Sequence, residues 1–257
     1  MSPVIVITGA GRGIGAATAR LAAARGFDVC INYLKNQMAA ETVADAVRAE
    51  GRRAITVAGD MGREADIMRL FETADAELGR LTALVNNAAD MGGFCRVEEV
   101  RADTLERVFA VNVAGPFLCC REALRRMSTK HGGAGGAIVN ISSTAAGRGS
   151  PGDWVHYAAS KGAVNTFTKG LALEVAGEGV RVNAVAPGLT DTENHAMYGQ
   201  PDRVEKWKPK LPMGRAARPE EIAAAVVWLL SDDASYITGT VQTVAGGQVG
   251  IEYRHVR

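Results

Sequence analysis

Val4-Ile5-Val6-Ile7-Thr8-Gly9-Ala10-Gly11-Arg12-Gly13-Ile14-Gly15 carries the argument for the architecture of this chain. Four consecutive β-branched residues suit a strand buried on both faces, as in a parallel sheet. The alanine-rich run from Ala16 to Arg25 suits a helix, and Gly26 stops it. The glycines between them allow a tight turn and a close backbone approach to a ligand. The helix that follows presents free N–H groups and the positive end of its dipole, which together suit a phosphate. The plain alternative is an ordinary strand-to-helix turn with no ligand.

The same alternation runs outward from this unit. Strands are expected at Asp28–Tyr33, Arg53–Ala58, Thr82–Val85, Ala137–Ile141, within 177–185, and at Tyr236–Val244. Helices are expected at Gln37–Glu50, Glu64–Leu78, about Thr104–Lys130, Val155–Val175 and Pro219–Ser231. Such alternation implies one α/β domain over residues 1–257, with a doubly wound, seven-stranded parallel sheet and helices on both faces. Ligands then sit at the carboxyl ends of the strands, where strand order reverses. The loops at 90–97 and 145–155 and the proline-containing stretch at about 190–215 belong to that edge. They read as substrate-contacting loops and a substrate lid.

Bulk properties narrow the function. The 257 residues are 47% hydrophobic and 22% charged, enough for a full core, and the net charge of +1 offers no electrostatic footprint for nucleic acid. No apolar run is long enough to span a membrane, and the N-terminus enters a strand without a charged leader. Cys30, Cys95, Cys119 and Cys120 lack metal-ligand spacing and read as buried small apolar residues in a reducing cytoplasm. The histidines at 131, 156, 195 and 255 form no metal motif, so no catalytic metal is expected.

Tyr157-Ala-Ala-Ser-Lys161 stands inside the expected helix Val155–Val175. Spacing of four places both side chains on one helix face. An ammonium beside a phenol favours the phenolate and would lower the tyrosine pKa from about 10. Alone, such a pair is more often a solvated helix face.

The Thr-Gly-x-x-x-Gly-x-Gly form of the first turn, Asn86-Asn87-Ala88-Ala89, Asn112, the serines closing the Ala137–Ile141 strand, Tyr157 with Lys161, and Pro187-Gly188 follow one another in order. In this the chain resembles the short-chain dehydrogenase/reductase family over nearly its whole length. The resemblance implies a Rossmann fold and hydride transfer between a nicotinamide cofactor and a carbonyl or secondary alcohol. It implies Tyr157 as acid/base and Lys161 as the residue that lowers its pKa and holds the nicotinamide ribose. It implies a serine that hydrogen-bonds the substrate oxygen, and Asn112 as the support of a proton relay. Ser143 fills the serine slot if the strand is aligned, and Ser142 and Thr144 remain open, since Thr144 has the thirteen-residue spacing to Tyr157. For the cofactor it implies Gly9, Gly13, Ile14 and Gly15 at the pyrophosphate, and Asp60, beside Met61, at the adenine. Asn87 and Ala88 would lie along the adenine-side ribose. Pro187, Gly188, Leu189 and Thr192 would close over the nicotinamide, with Leu189 supplying backbone contacts. A homotetramer, or a dimer, is the assembly it implies.

The end of the second strand bears on the choice of cofactor. Asn32, Tyr33 and Lys35 stand where an acid would hold the ribose hydroxyls of NAD, and no acid is present. Lys35 and Arg12 would attract the 2′-phosphate of NADP, so NADP(H) is favoured over NAD(H). A catalytically silent NADP-binding regulatory protein is the competing reading. It would need the glycine turn but not the Tyr157–Lys161 pair.

Overall fold

The computed structural model describes residues 2–248. Strand β1 is Val4–Ile7, followed by helix α1 (Gly13–Ala24), β2 (Asp28–Tyr33), α2 (Gln37–Ala49), β3 (Ala54–Ala58), α3 (Glu64–Leu78) and β4 (Leu81–Asn86). The second half runs α4 (Ala102–Phe109), α5 (Gly115–Met127), β5 (Gly136–Ile141), α6 (Ala145–Arg148), α7 (Val155–Val175) and β6 (Val180–Pro187). Short helices α8 (Asn194–Met197) and α9 (Arg203–Trp207) precede α10 (Pro219–Leu230) and β7 (Val241–Val244).

The strands form one parallel sheet in the order β3-β2-β1-β4-β5-β6-β7. Strand order reverses between β1 and β4, where Ile7 is paired with Ile31 on one side and Val85 on the other. The β-branched run of β1 is buried at every position because it feeds two cores at once. Ile5 and Ile7 pack with α1, α2 and α10 on one face of the sheet, while Val4 and Val6 pack with α3, α5 and α7 on the other. That alternation is the two-residue period of a strand. Burial of this kind contributes about 25 cal/mol per Å² of apolar surface removed from water.

Several local expectations are corrected. The long helix expected over Thr104–Lys130 is α4 and α5 joined by a π-helical turn at Ala110–Ala114. Pro116 explains the break. It has no N–H to give the Asn112 carbonyl, so the one-turn ladder cannot continue there. Gly115 packs closely at this junction, since a Cβ there would lie 2.4 Å from the Met61 carbonyl oxygen. The expected last strand Tyr236–Val244 shrinks to Val241–Val244, because the chain turns at Ala234–Ile237 and at Gly239, whose φ is +77°. The 145–155 segment begins with α6 rather than running as loop, and the lid contains α8 and α9. The first helix also begins earlier than expected, at Gly13, so the turn glycines form its first residues. Cys30, Cys119 and Cys120 are buried as expected, but Cys95 is only partly so. His255 lies outside the described residues.

Candidate active site

The carboxyl ends of β1, β2, β4, β5 and β6 open into one cleft of about 910 Å³. Of the residues singled out above, Gly9, Arg12, Gly13, Ile14, Asn32, Tyr33, Lys35, Asp60, Met61, Asn87, Ala88, Ser143, Tyr157, Lys161, Pro187, Gly188, Leu189 and Thr192 line it. Gly15 and Asn112 do not; they act from behind its wall.

The glycine turn is shaped by contacts that a side chain would abolish. Gly9 has φ +62°, and a Cβ on it would lie 2.9 Å from the Ala88 Cα. A Cβ on Gly15 would lie 2.5 Å from Asn87 Nδ2 and 2.7 Å from the Gly9 carbonyl oxygen. Asn87 occupies that space because its Nδ2 donates to the carbonyls of Thr8 (2.8 Å) and Gly9 (3.0 Å). Thr8 returns the tie: its Oγ1 accepts from the backbone N–H of Asn87 (2.9 Å) and of Ala88 (3.0 Å). The Asn87 amide therefore holds the turn, while Asn87 and Ala88 line the cleft. Asn32 is tied in likewise. It is 1% exposed, its Oδ1 accepts from Gly9 N (3.0 Å), and its Nδ2 donates to the carbonyls of Val57 (3.2 Å) and Gly59 (3.0 Å). Buried and with its hydrogen bonds made to the protein, it pins the β1, β2 and β3 ends together at the edge of the cleft.

A dinucleotide fits the residues present. The N-terminus of α1 faces the cleft, and Gly11, Gly13 and Ile14 line the floor. Arg12 and Lys35 are exposed at the mouth beside Arg20, which the strand-end argument did not name. Arg20 lies seven residues after Gly13, two turns along the same face of α1, so helical periodicity could have found it. Thr192 comes across from the far side: a Cβ on Gly13 would lie 3.3 Å from its methyl group. Leu189 lines the cleft; its N–H donates to Gln248 Oε1 (2.9 Å) and its carbonyl accepts from Ala217 N (2.9 Å).

Asp60 does not stand alone on the cleft wall. Arg107 Nη1 donates to both its oxygens, at 2.9 and 2.7 Å, and Arg107 Nε donates to Asp90 Oδ2 at 3.2 Å. Burial raises the Asp60 carboxyl, but its bonds to Arg107 and to the Gly62 N–H more than reverse this and hold it below the usual range. Asp90 Oδ1 accepts from the lid residue Tyr198, whose hydroxyl also accepts from Met91 N (3.1 Å). Neither Arg107 nor Tyr198 was visible in the motifs.

The reactive end is built on α7 and the β5 terminus. Tyr157 and Lys161 share one helix face, and Lys161 is 3% exposed. The Ser143 side chain stands near enough to the Tyr157 phenol to lower it, and its Oγ accepts from Ala145 N (3.1 Å). Ser142 turns the other way, with its Oγ 2.5 Å from Asn165 Oδ1. Of the three candidates for the serine slot, Ser143 is the one that meets the phenol.

The electrostatics differ from expectation. Burial pushes the Tyr157 phenol up to about 12; Ser143 opposes this and Tyr198 adds to it. The Lys161 Nζ donates to the Ile141 carbonyl (2.7 Å) and lies 5.6 Å from the Tyr157 ring centre, so burial rather than the ammonium dominates the resting phenol. Burial also lowers Lys161 to about 8. Asn112 sits in the π turn with no exposed surface. Its Nδ2 donates to Asp90 O (2.7 Å) and Ser160 Oγ (3.0 Å), and its Oδ1 accepts from Asp90 N (2.7 Å). Ser160 Oγ in turn donates to the Tyr157 carbonyl (2.7 Å). Asn112 thus anchors the start of the 90–97 loop to the helix that carries the tyrosine.

Comparison with known proteins agrees with this geometry. The sequence profile of a family described as enoyl-(acyl carrier protein) reductase matches residues 9–248. The uncharacterized oxidoreductase YgfF of Escherichia coli (strain K12) is 49% identical over 245 residues, which cover 95% of this chain and 99% of that one. A short-chain dehydrogenase/reductase from Serratia marcescens superposes with a TM-score of 0.88 at 35% identity, covering 95% of this chain and 97% of that one. The angucycline C-6 ketoreductase LanV, solved with bound NADP, superposes with a TM-score of 0.87 at 34% identity and 95% coverage of each chain. With its seven-stranded parallel sheet, the glycine turn at the switch point and these relatives, the chain belongs to the short-chain dehydrogenase/reductase family and is an oxidoreductase.

Proposed function

We propose that this protein is an NADP(H)-dependent oxidoreductase that interconverts a small carbonyl compound and its secondary alcohol. The observation that carries the reading is the meeting of Ser143, Tyr157 and Lys161 at one end of the cleft whose other end is the glycine turn. The nicotinamide, when bound, supplies or accepts the hydride. Tyr157 gives its proton to the carbonyl oxygen in reduction and takes it back in oxidation. Ser143 donates to the same oxygen, which steadies the negative charge that develops there. Lys161, charged below about pH 8, stands close enough to favour the phenolate left on Tyr157 once the proton has moved. A phenol held near 12 remains a proton donor at neutral pH, which suits reduction.

Arg12, Arg20 and Lys35 support NADP over NAD: three cations at the adenosine end of the cleft suit a 2′-phosphate, and no carboxylate at the β2 end opposes it. LanV, with its bound NADP, is consistent with that preference. The apolar face that carries Phe117, stacked on Phe167 with ring centres 3.7 Å apart, and the exposed Phe109 and Leu173 suits self-association into a homotetramer. A cytoplasmic location goes with the free cysteines, and no helix among the described residues is long and apolar enough to cross a membrane.

The test compares NADPH and NADH in a thermal-shift assay and then screens carbonyl compounds for NADPH oxidation, with wild type and Tyr157→Phe. A ligand at 100 times its Kd stabilises by about 2.7 kcal/mol. NADPH is expected to stabilise both proteins more than NADH does, and only the wild type is expected to turn over. Turnover by Tyr157→Phe at an appreciable fraction of the wild-type rate would remove the assignment, and an equal or larger shift with NADH would remove the cofactor preference.

A further inference from the structure

One buried cation on the substrate side of the cleft lies outside the chemistry described so far. Arg203 opens α9 and is 7% exposed. Its guanidinium carbon lies 4.5 Å from the ring centre of Trp154, 5.2 Å from that of Phe94 and 5.4 Å from that of Trp207. Its Nη2 donates to Asp153 Oδ2 at 2.8 Å. These partners come from three separate stretches: the loop at 90–97, the residues that lead into α7, and α9 itself. The first two are joined independently, because Cys95 N donates to the Asp153 carbonyl (3.0 Å) and the Phe94 and Trp154 rings lie 4.3 Å apart. Trp154 then reaches the reactive centre, its ring 5.8 Å from that of Tyr157. Trp154, Arg203 and Trp207 line the cleft, whereas Phe94 and Asp153 stand behind them.

Burying a cation is costly unless it is paired and its faces are covered. A guanidinium meets both demands, since its edge takes a carboxylate while its faces take aromatic rings. An ammonium has no flat face to offer several rings. The paired charge has no proton to move and is one tryptophan removed from the phenol, so it acts through what it holds.

Resting on the carbonyl oxidoreductase reading, we propose that Arg203 is the positioning residue of the substrate pocket: stacked among Phe94, Trp154 and Trp207 and paired with Asp153, it joins the lid and two loops into one wall facing Tyr157, and that wall sets the size of carbonyl compound the phenol receives. Without it the Trp154 and Trp207 rings lose their common partner, the pocket widens, and a compact ketone is held less well. The cofactor end, which Arg203 does not touch, is unaffected.

Two readouts test this on the full chain with saturating NADPH. The first is steady-state reduction of cyclohexanone and of the bulkier acetophenone by wild type, Arg203→Met, Arg203→Lys and Asp153→Asn. The second is acrylamide quenching of tryptophan emission, which reports on the wall because two of the three tryptophans, Trp154 and Trp207, flank Arg203. Arg203→Met is expected to raise the cyclohexanone KM at least tenfold, raise that of acetophenone less, keep the NADPH KM within twofold, and make the tryptophans more quenchable. Arg203→Lys is expected to rescue little, because charge without a planar face is not enough. Asp153→Asn is expected to shift both readouts the same way by less, and it carries the test if Arg203→Met does not fold. Unchanged ketone KM values with unchanged quenching would overturn the proposal, even if the variants melted earlier, because Arg203 would then be a stability residue only. Quenching needs no turnover, so it judges the wall even if neither ketone is reduced, a result that counts against the oxidoreductase reading instead.

Discussion

Gly15→Ala sets two rules against each other. Gly15 lies in the first turn of α1 and is not among the positive-φ glycines, so alanine is conformationally allowed there. Helix propensity alone favours alanine by about 1 kcal/mol. The packing says the opposite. The new Cβ would stand 2.5 Å from Asn87 Nδ2, 2.7 Å from the Gly9 carbonyl oxygen and 2.9 Å from the Ala10 Cα, and two of these three are backbone atoms. Asn87 can retreat only by giving up its bonds to the Thr8 and Gly9 carbonyls, at about 1 kcal/mol each. Crowding of the backbone adds about 1–3 kcal/mol. The net loss is about 2–4 kcal/mol, and at about 2–4 °C per kcal/mol for a chain of this size Tm falls by roughly 4–16 °C. Because the displaced atoms shape the phosphate-facing turn, NADPH affinity should fall as well. The assay is urea denaturation with and without NADPH, on wild type, Gly15→Ala, Asn87→Ala and Gly15→Ala/Asn87→Ala. The double variant should show part of the clash relieved, so that alanine at 15 costs less in the Asn87→Ala background. A Gly15→Ala protein as stable as wild type, with NADPH affinity intact, would refute the packing argument and leave propensity in charge.

Further outcomes follow from the electrostatics. Lys161 is held down to about 8, so ketone reduction should decline as pH rises through that value and its positive charge is lost, and Lys161→Arg should move the decline upward; a pH–kcat/KM profile checks both. The same depressed value means that the unfolded chain keeps this proton longer, so the lysine's contribution to stability should rise between about pH 8 and 10. Arg107→Met should strand Asp60 and Asp90, lowering the urea midpoint at pH 7. Asp60 is depressed in the fold, so the stability it contributes is present above its unfolded pKa of about 4 and is lost on acidification. The gap between wild type and Arg107→Met should therefore close below about pH 4, and a gap that widened there would contradict the pairing.

Features decided by near neighbours were legible before any coordinates. The glycine turn, the β-branched run of β1 and the Tyr157–Lys161 face each depend on residues within a few positions along the chain, and so do the bounds of α3 and α7, which match expectation. The π turn at Asn112 is local too: Asn112, where the family resemblance implies a bend, and Pro116 are its signals among the surrounding helix formers.

Other roles turned on which distant groups came within reach. Asn32 and Asn87 stand on the cofactor edge, as their positions imply, yet their amides hold the backbone of the glycine turn, across 23 and 78 positions of chain for their bonds to Gly9. Leu189 gives its N–H to Gln248, 59 positions later. Lys161 has the spacing to tune a phenol, but the Ile141 carbonyl claims its ammonium, and burial rather than charge sets the Tyr157 value. Arg203 reads in the sequence as one cation in a polar stretch, and only the approach of Phe94, Asp153 and Trp154 makes it a buried one. Periodicity and turn chemistry act over one helical or strand repeat and can be read along the chain. A polar side chain's partner is whichever group the packed layers bring within about 3 Å, and that is settled only when the sheet and its helices close.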